Sequence, residues 1–261
     1  MFWLHEEDLP AGVGGKPFCV MHLVYLACFL AASVAYAFAY AKWNGKKRKT
    51  AERVTGSLVF FFGLCEYGIT ALIGRFTLYT LPLHVCSLMF SLILIHAWTN
   101  AARPGTFAAG LHGFLGAALF HPGILGAWAA LLFPDWLHYP FWNYLSISGF
   151  MAHGLISVYG AALLVKSAEA ADRRTLFRRD LKNSLQFMSG GAAVMWLFDR
   201  AAGTNYWFML RPSSSSPFVG VYERGGYGRY LLAYGLTAVA VTVFWYGLRA
   251  LFCTLFSKNR E

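Results

Sequence analysis

The sequence predicts an all-α polytopic transmembrane helix bundle of seven spans, and three observations lead there. Hydrophobic residues make up 57% of the 261 residues and charged ones only 13%, where soluble domains carry roughly a quarter charged residues. Apolar runs of roughly twenty residues, the length that crosses a bilayer as a helix, recur along the chain with short polar breaks. The Lys and Arg residues behind the net charge of +10 gather mainly in two short runs between apolar segments. That is a footprint of membrane topology, not of a groove-reading surface, so nucleic acid is excluded as a partner.

The first span covers 18–41. Glu6, Glu7 and Asp8 precede it where a signal peptide would be positive, and no cleavage-like site follows, so it is expected to remain in the mature chain. Spans two and three run over 55–73 and 80–98. Span four, 106–132, is over-long and interrupted by His121-Pro122-Gly123. Proline removes a helical hydrogen bond, so this span is expected to be kinked or broken there. Spans five to seven cover 141–165, 183–202 and 228–252, and the whole of 1–261 reads as one transmembrane domain.

Orientation follows from the basic loops. The first holds Lys42, Lys46, Lys47, Arg48, Lys49 and Arg53; the fifth holds Lys166, Arg173, Arg174, Arg178, Arg179 and Lys182. Arg103 in loop three and Lys258 and Arg260 in the tail fall on the same side of a seven-span chain. The N-terminus is therefore expected outside and the C-terminus in the cytoplasm, in the cell membrane. Membrane lipids are the expected partners, with anionic headgroups at the basic loops. The cysteines at 19, 28, 65, 86 and 253 show neither metal-type nor disulfide-type spacing, and no cofactor is implied.

Polar residues inside the spans carry the functional reading, because ionisable groups at membrane depth are costly. Gly63, Glu66, Thr70 and Gly74 recur at three and four in span two, and Thr106, Gly110, Gly113, Ala117 and His121 do so in span four. Asn143, Ser146 and His153 share a stripe in span five, and span six ends in Asp199-Arg200 before Gly203-Thr204-Asn205-Tyr206-Trp207. By depth, Glu66, His84, Cys86, His121, His153 and Asp199 come from five spans into the outer half of the bilayer, which predicts a polar cavity open outward. His96 and His112 lie nearer the cytoplasmic side and read as structural.

Each residue also has a plainer reading. Glu66 is then a protonated, hydrogen-bonded carboxyl, His84 and His153 are partners between helices, and His121 satisfies a carbonyl freed by Pro122. Cys86 is then a small buried hydrophobe, and Asp199 pairs with Arg200 or Arg211. On an ideal helix, residues 84 and 86 are about 200° apart, so His84 and Cys86 share a cavity only if the Pro82 end is irregular. A nucleophilic Cys86 would take its base from another helix, His153 being the best placed. If His84 faces the cavity instead, Ser87 lies on its side and a relay role gains weight.

Leu81-Pro82-Leu83-His84-Val85-Cys86, Pro134-Asp135, Ala152-His153-Gly154-Leu155 and Gly203-Thr204-Asn205-Tyr206 with Arg211-Pro212 occur in this order. In these motifs the chain resembles the bacterial YwaF-type integral membrane family. That family is distantly similar to a eukaryotic multi-span family that moves fatty acyl chains between phospholipids with a cysteine. It also resembles the androgen-induced-gene hydrolases, which cleave fatty-acid esters with a threonine and a histidine. The resemblance implies a cysteine role for Cys86 and a histidine role for His153.

Three functions follow as expectations. The first is intramembrane acyl transfer or ester hydrolysis, with Cys86 as nucleophile, His153 as base and Asn205 or Tyr206 donating to the oxyanion. The second is a small-molecule or proton-coupled transporter using Glu66 and the histidines, disfavoured by the lack of an internal repeat. The third is a non-catalytic accessory protein. A zinc site from His84, His121, His153 and Glu66 lacks any local ligand motif, so no metal is expected.

Overall fold

The computed structural model describes residues 2–5, 8–10, 12–170, 172–212 and 216–258. Glu6, Glu7, the serines at 213–215 and Arg260 lie outside the described residues, as do the side chains of Pro122, Asp135, Arg173 and Lys258. The described chain is all helix and loop, without a β-strand. Its helices are α1 (Val20–Lys42), α2 (Gly45–Leu72), α3 (Val85–Trp98), α4 (Phe107–Ala118), α5 (Ile124–Leu132), α6 (Tyr144–Ala168), α7 (Arg173–Ala202) and α8 (Val219–Lys258).

Side-chain caps set several of these starts. Asn44 accepts from the Lys47 amide at 3.0 Å, Asn143 from Leu145 at 2.9 Å and Asp172 from Thr175 at 3.0 Å. A cap of this kind satisfies one of the orphan amides of a first helical turn. With Asn44 capping it, α2 takes up the basic run at 46–53 and starts about three turns before the predicted span. At α3 the opposite happens. Leu81 precedes Pro82 and is held extended (φ −58°, ψ 141°), and His84 is extended too, so the helix starts only at Val85.

The predicted interruption of span four is a π turn over Leu119–Gly123, flanked by α4 and α5. Pro122 has no amide to give to an i→i−4 bond, and the wider turn accommodates that loss. Late in the chain, α8 breaks at Gly226 (φ 71°, ψ −177°), so residues 225–227, just before the predicted seventh span, already lie within a kinked helix.

Among the described residues, five helical segments are long and apolar enough to cross a membrane: Val20–Lys42, Gly45–Leu72, Phe107–His138, Tyr144–Ala168 and Val219–Leu251. The third joins α4, the π turn and α5. The fourteen residues of α3 are apolar but span only about 21 Å, and α7 carries Arg178, Arg179, Asp180 and Lys182 in its first half.

Helix α6 is the hub, packed against α1, α2, α5 and α8 and buried along most of its length. Lipid supplies no hydrophobic drive between helices, so close approach decides their packing. A Cβ at Gly154 would run into the Phe29 ring from α1. Glycine at 154 therefore sets that contact.

Contacts sort the loops into two ends. Arg48 pairs with Glu169 at 2.5 Å and Lys166 with Glu52 at 2.7 Å, joining the first and fifth basic runs at one end. At the other end, Arg75 pairs with Asp8 and the Tyr144 amide donates to Phe2. The Trp207 indole donates there to the Leu83 carbonyl.

Candidate functional site

Two of the sequence motifs meet in a clamp. The hydroxyl of Tyr206 donates to the carbonyl of Leu78, Trp207 Nε1 donates to that of Leu83 at 2.8 Å, and Tyr79 reaches the carbonyl of Gly203 at 3.1 Å. His84 packs edge-on against Tyr206, with centroids 4.8 Å apart, and beside Phe208 at 5.9 Å. Trp207 and Phe208 take left-handed backbone, φ 54° and 55°, which costs a non-glycine residue about 1–2 kcal/mol each. Tyrosines of α8 offset that strain, Tyr230 donating to Phe208 and Tyr234 to Trp207.

Asp199 is fully buried, and its Oδ1 accepts from the Thr204 hydroxyl at 2.7 Å and the Tyr206 amide at 2.8 Å. Arg200 lies instead over the rings of Trp196 and Tyr227. Asn205 folds back on its own loop: Oδ1 accepts from Leu210 and Arg211, and Nδ2 donates to the Arg211 carbonyl at 2.9 Å. Asn143 caps α6 and donates to Leu4 at 2.8 Å. These four predicted site residues, Asp199, Asn205, Tyr206 and Asn143, are thus engaged in holding loops; Arg211 joins them through its backbone.

The remaining candidates divide between two cavities on either side of the first turn of α3. The first, of about 280 Å³, gathers Glu66, Ser87 and His153 with Tyr67, Thr70 and His138. Ser148 donates to Glu66 Oε2 at 3.3 Å and Tyr67 to Ser87 at 2.6 Å. His153 Nδ1 lies 2.8 Å from the Gly149 carbonyl. A carbonyl only accepts, so Nδ1 carries the proton and the basic lone pair falls on Nε2. Trp136 lies against His153 with centroids 4.8 Å apart, and a Cβ at Gly149 would come within 2.9 Å of that indole.

The second cavity, of about 300 Å³, has mainly aliphatic and aromatic walls from α5, α7 and α8, and it holds Cys86 and His121. Cys86 is partly exposed, on the first turn of α3, whose N-cap residue His84 supplies no side-chain cap. The first amides of that turn have no helical acceptor behind them. His121 sits in the π turn, with both ring nitrogens near Thr242 Oγ1 at 3.3 and 3.4 Å. Thr242 gives its own proton to Ala238 at 2.7 Å, so it accepts from an imidazole N–H and leaves the other nitrogen basic.

The expected pairing of Cys86 with His153 is therefore not one that a single cavity makes: Cys86 is grouped with His121, and His153 with Glu66 and Ser87. His84 borders neither cavity and belongs to the clamp, although the Pro82 end is irregular, as a cavity shared by His84 and Cys86 required. Among the described residues, no three His, Cys, Asp or Glu side chains gather as metal ligands.

Sequence reasoning missed Trp136 and His138, set aside in a polar break, and it missed Glu52. Glu52 is buried at the opposite end, where Tyr40, Asn100 and Lys166 address its carboxylate. A signal for it was present, since the face of Gly63, Glu66 and Thr70 continues back through Val59 and Gly56 to Glu52 at three and four.

A family model described as the TMEM164 family matches residues 18–246. The chain belongs to the TMEM164 family. For this TMEM164-family chain the match runs from the start of α1 into α8 and takes in both cavities, and with the apolar helices it makes the protein a multi-pass membrane protein. The match does not extend to the YwaF-type assignment or to kinship with acyl-moving proteins. No curated protein and no solved structure matches the chain.

Proposed function

We propose that this protein transfers or hydrolyses fatty acyl chains within the membrane, with Cys86 as the nucleophile and His121 as its base. The observation that carries the reading is that a thiol and an imidazole share one cavity whose other walls are largely apolar. Such walls suit an acyl chain, and the two polar groups suit the ester at its end. The resemblance of the Leu81–Cys86 and Ala152–Leu155 motifs to the YwaF-type family, itself distantly similar to cysteine-dependent acyl movers, points the same way.

In this reading His121 takes the thiol proton, directly or through one water. The thiolate adds to the acyl carbonyl, and the oxyanion receives hydrogen bonds from the first amides of α3. Collapse expels the alcohol of the lipid, which recovers its proton from the imidazolium, and leaves an acyl thioester on Cys86. A second lipid alcohol, or water, then attacks the thioester and regenerates the thiol. His153 moves from the base role expected of it to the polar cavity with Glu66, where it meets headgroup or acceptor. The basic end is cytoplasmic, α3 and α7 complete seven spans, and both cavities lie in the outer half.

The test offers purified protein in mixed micelles a phospholipid with a heavy-isotope acyl chain and a lysophospholipid acceptor. Label moving to the acceptor with wild type, and not with Cys86→Ser, supports the reading. Equal transfer by both proteins overturns it.

A further inference from the structure

At the opposite end of the bundle, α4, α6, α7 and α8 line a half-open cavity of about 200 Å³, which shares Ser167, Leu176 and Arg249 with a neighbour of about 320 Å³. Four cations line the pair: Lys166, Arg174, Arg179 and Arg249. Two carboxylates face them. Asp180 is divided between Arg179 at 3.0 Å and Arg249 at 2.8 Å, and Glu52 lies 2.7 Å from Lys166. Glu169, close by in sequence, is occupied by Arg48. Four positive charges against two negative ones leave a surplus in a half-open recess, where the buried members are screened less than on a flat surface.

Arg249 makes this more than a basic surface. It is only 7% exposed, and its Nη2 donates to Ser167 at 2.7 Å and to Asp180 at 2.8 Å. Its Nη1 is buried with no hydrogen-bond partner among the described residues. The Phe120 ring lies 4.3 Å from its Cζ, but a ring face attracts the cation as a whole and accepts none of its in-plane N–H donors. A buried guanidinium is normally fully hydrogen-bonded, so Nη1 is a donor that a bound acceptor would satisfy.

We propose that this cavity binds a phosphate-type oxyanion. The cations come from three helices, Lys166 on α6, Arg174 and Arg179 on α7 and Arg249 on α8, which suits a tetrahedral anion with oxygens aimed at separate walls. Arg forks match phosphate oxygens two at a time. Flanked by the basic runs, the site is open to the phosphate of a lipid headgroup or to phosphate from solution. Both present the same chemistry.

The experiment measures thermal unfolding of the full chain in neutral detergent against two probes: inorganic phosphate, and short-chain phosphatidic acid with phosphatidylcholine as its control. Wild type is expected to gain several degrees with at least one phosphate probe. Arg249→Lys and Arg179→Gln are expected to need at least tenfold more of it, and Lys46→Gln in the first basic loop to respond as wild type. A response to phosphatidic acid alone supports the headgroup as the source; a response to inorganic phosphate supports the free anion. If Arg249→Lys does not fold, Arg179→Gln carries the comparison, its side chain being half exposed. No response in wild type, or responses from the folded cavity variants equal to that of wild type, overturns the proposal.

Discussion

Tyr206 donates its hydroxyl hydrogen bond to the main-chain carbonyl of Leu78, and its ring edge meets the imidazole of His84. One side chain from the loop after α7 thus fixes the extended entry to α3, which positions Cys86 on that helix's first turn. Tyr206→Phe keeps the ring and removes the donor. The Leu78 carbonyl keeps the Leu81 amide, so the loss is that of one hydrogen bond, about 0.5–1.5 kcal/mol, and the variant is expected to unfold earlier in a thermal scan than wild type. An unchanged melting temperature would mean that the clamp does not hold α3.

The indole of Trp136 lies against His153 because position 149 has no side chain to intervene. Gly149→Ala is expected to push the indole off the imidazole and to cost about 1–3 kcal/mol through overpacking in a tight contact. Tryptophan fluorescence and denaturant unfolding read the two effects separately. A stable variant with unaltered fluorescence would contradict this contact.

Glu52, Lys166, Arg179 and Arg249 gather at one end of the bundle, and Leu78, Leu83 and Tyr206 at the other. In the topology proposed above, which follows the positive-inside tendency, the first end is cytoplasmic. A reporter active only in the cytoplasm is expected to work when fused after residue 261 and to fail when fused before residue 1. The reverse result would invert the proposed topology.

Most helices were legible because hydropathy and caps act locally. The interruption at His121-Pro122-Gly123 was legible because proline's missing amide is a property of one residue. The pairing of functional side chains was not. An ideal periodicity starts α3 too early, since Leu81, caught before Pro82, cannot be helical and delays the first turn to Val85. The stripe through Asn143 likewise begins on a capping residue with extended backbone. At His121 the π turn adds a residue to the helical turn, rotating everything beyond it by about 100° from where a 3.6-residue repeat puts it. Those local departures decide that His121, and not His153, shares a cavity with Cys86.

An acyl thioester on Cys86 is a covalent mark that the protein itself carries. Purified chain is briefly exposed to a phospholipid with a heavy-isotope acyl group, quenched in acid and digested, and the Cys86 peptide is weighed. An added acyl mass on Cys86 that neutral hydroxylamine removes is expected, absent in Cys86→Ser and at least tenfold weaker in His121→Gln, with His153→Gln close to wild type. An acyl group that never appears on Cys86 while acyl transfer proceeds would contradict it.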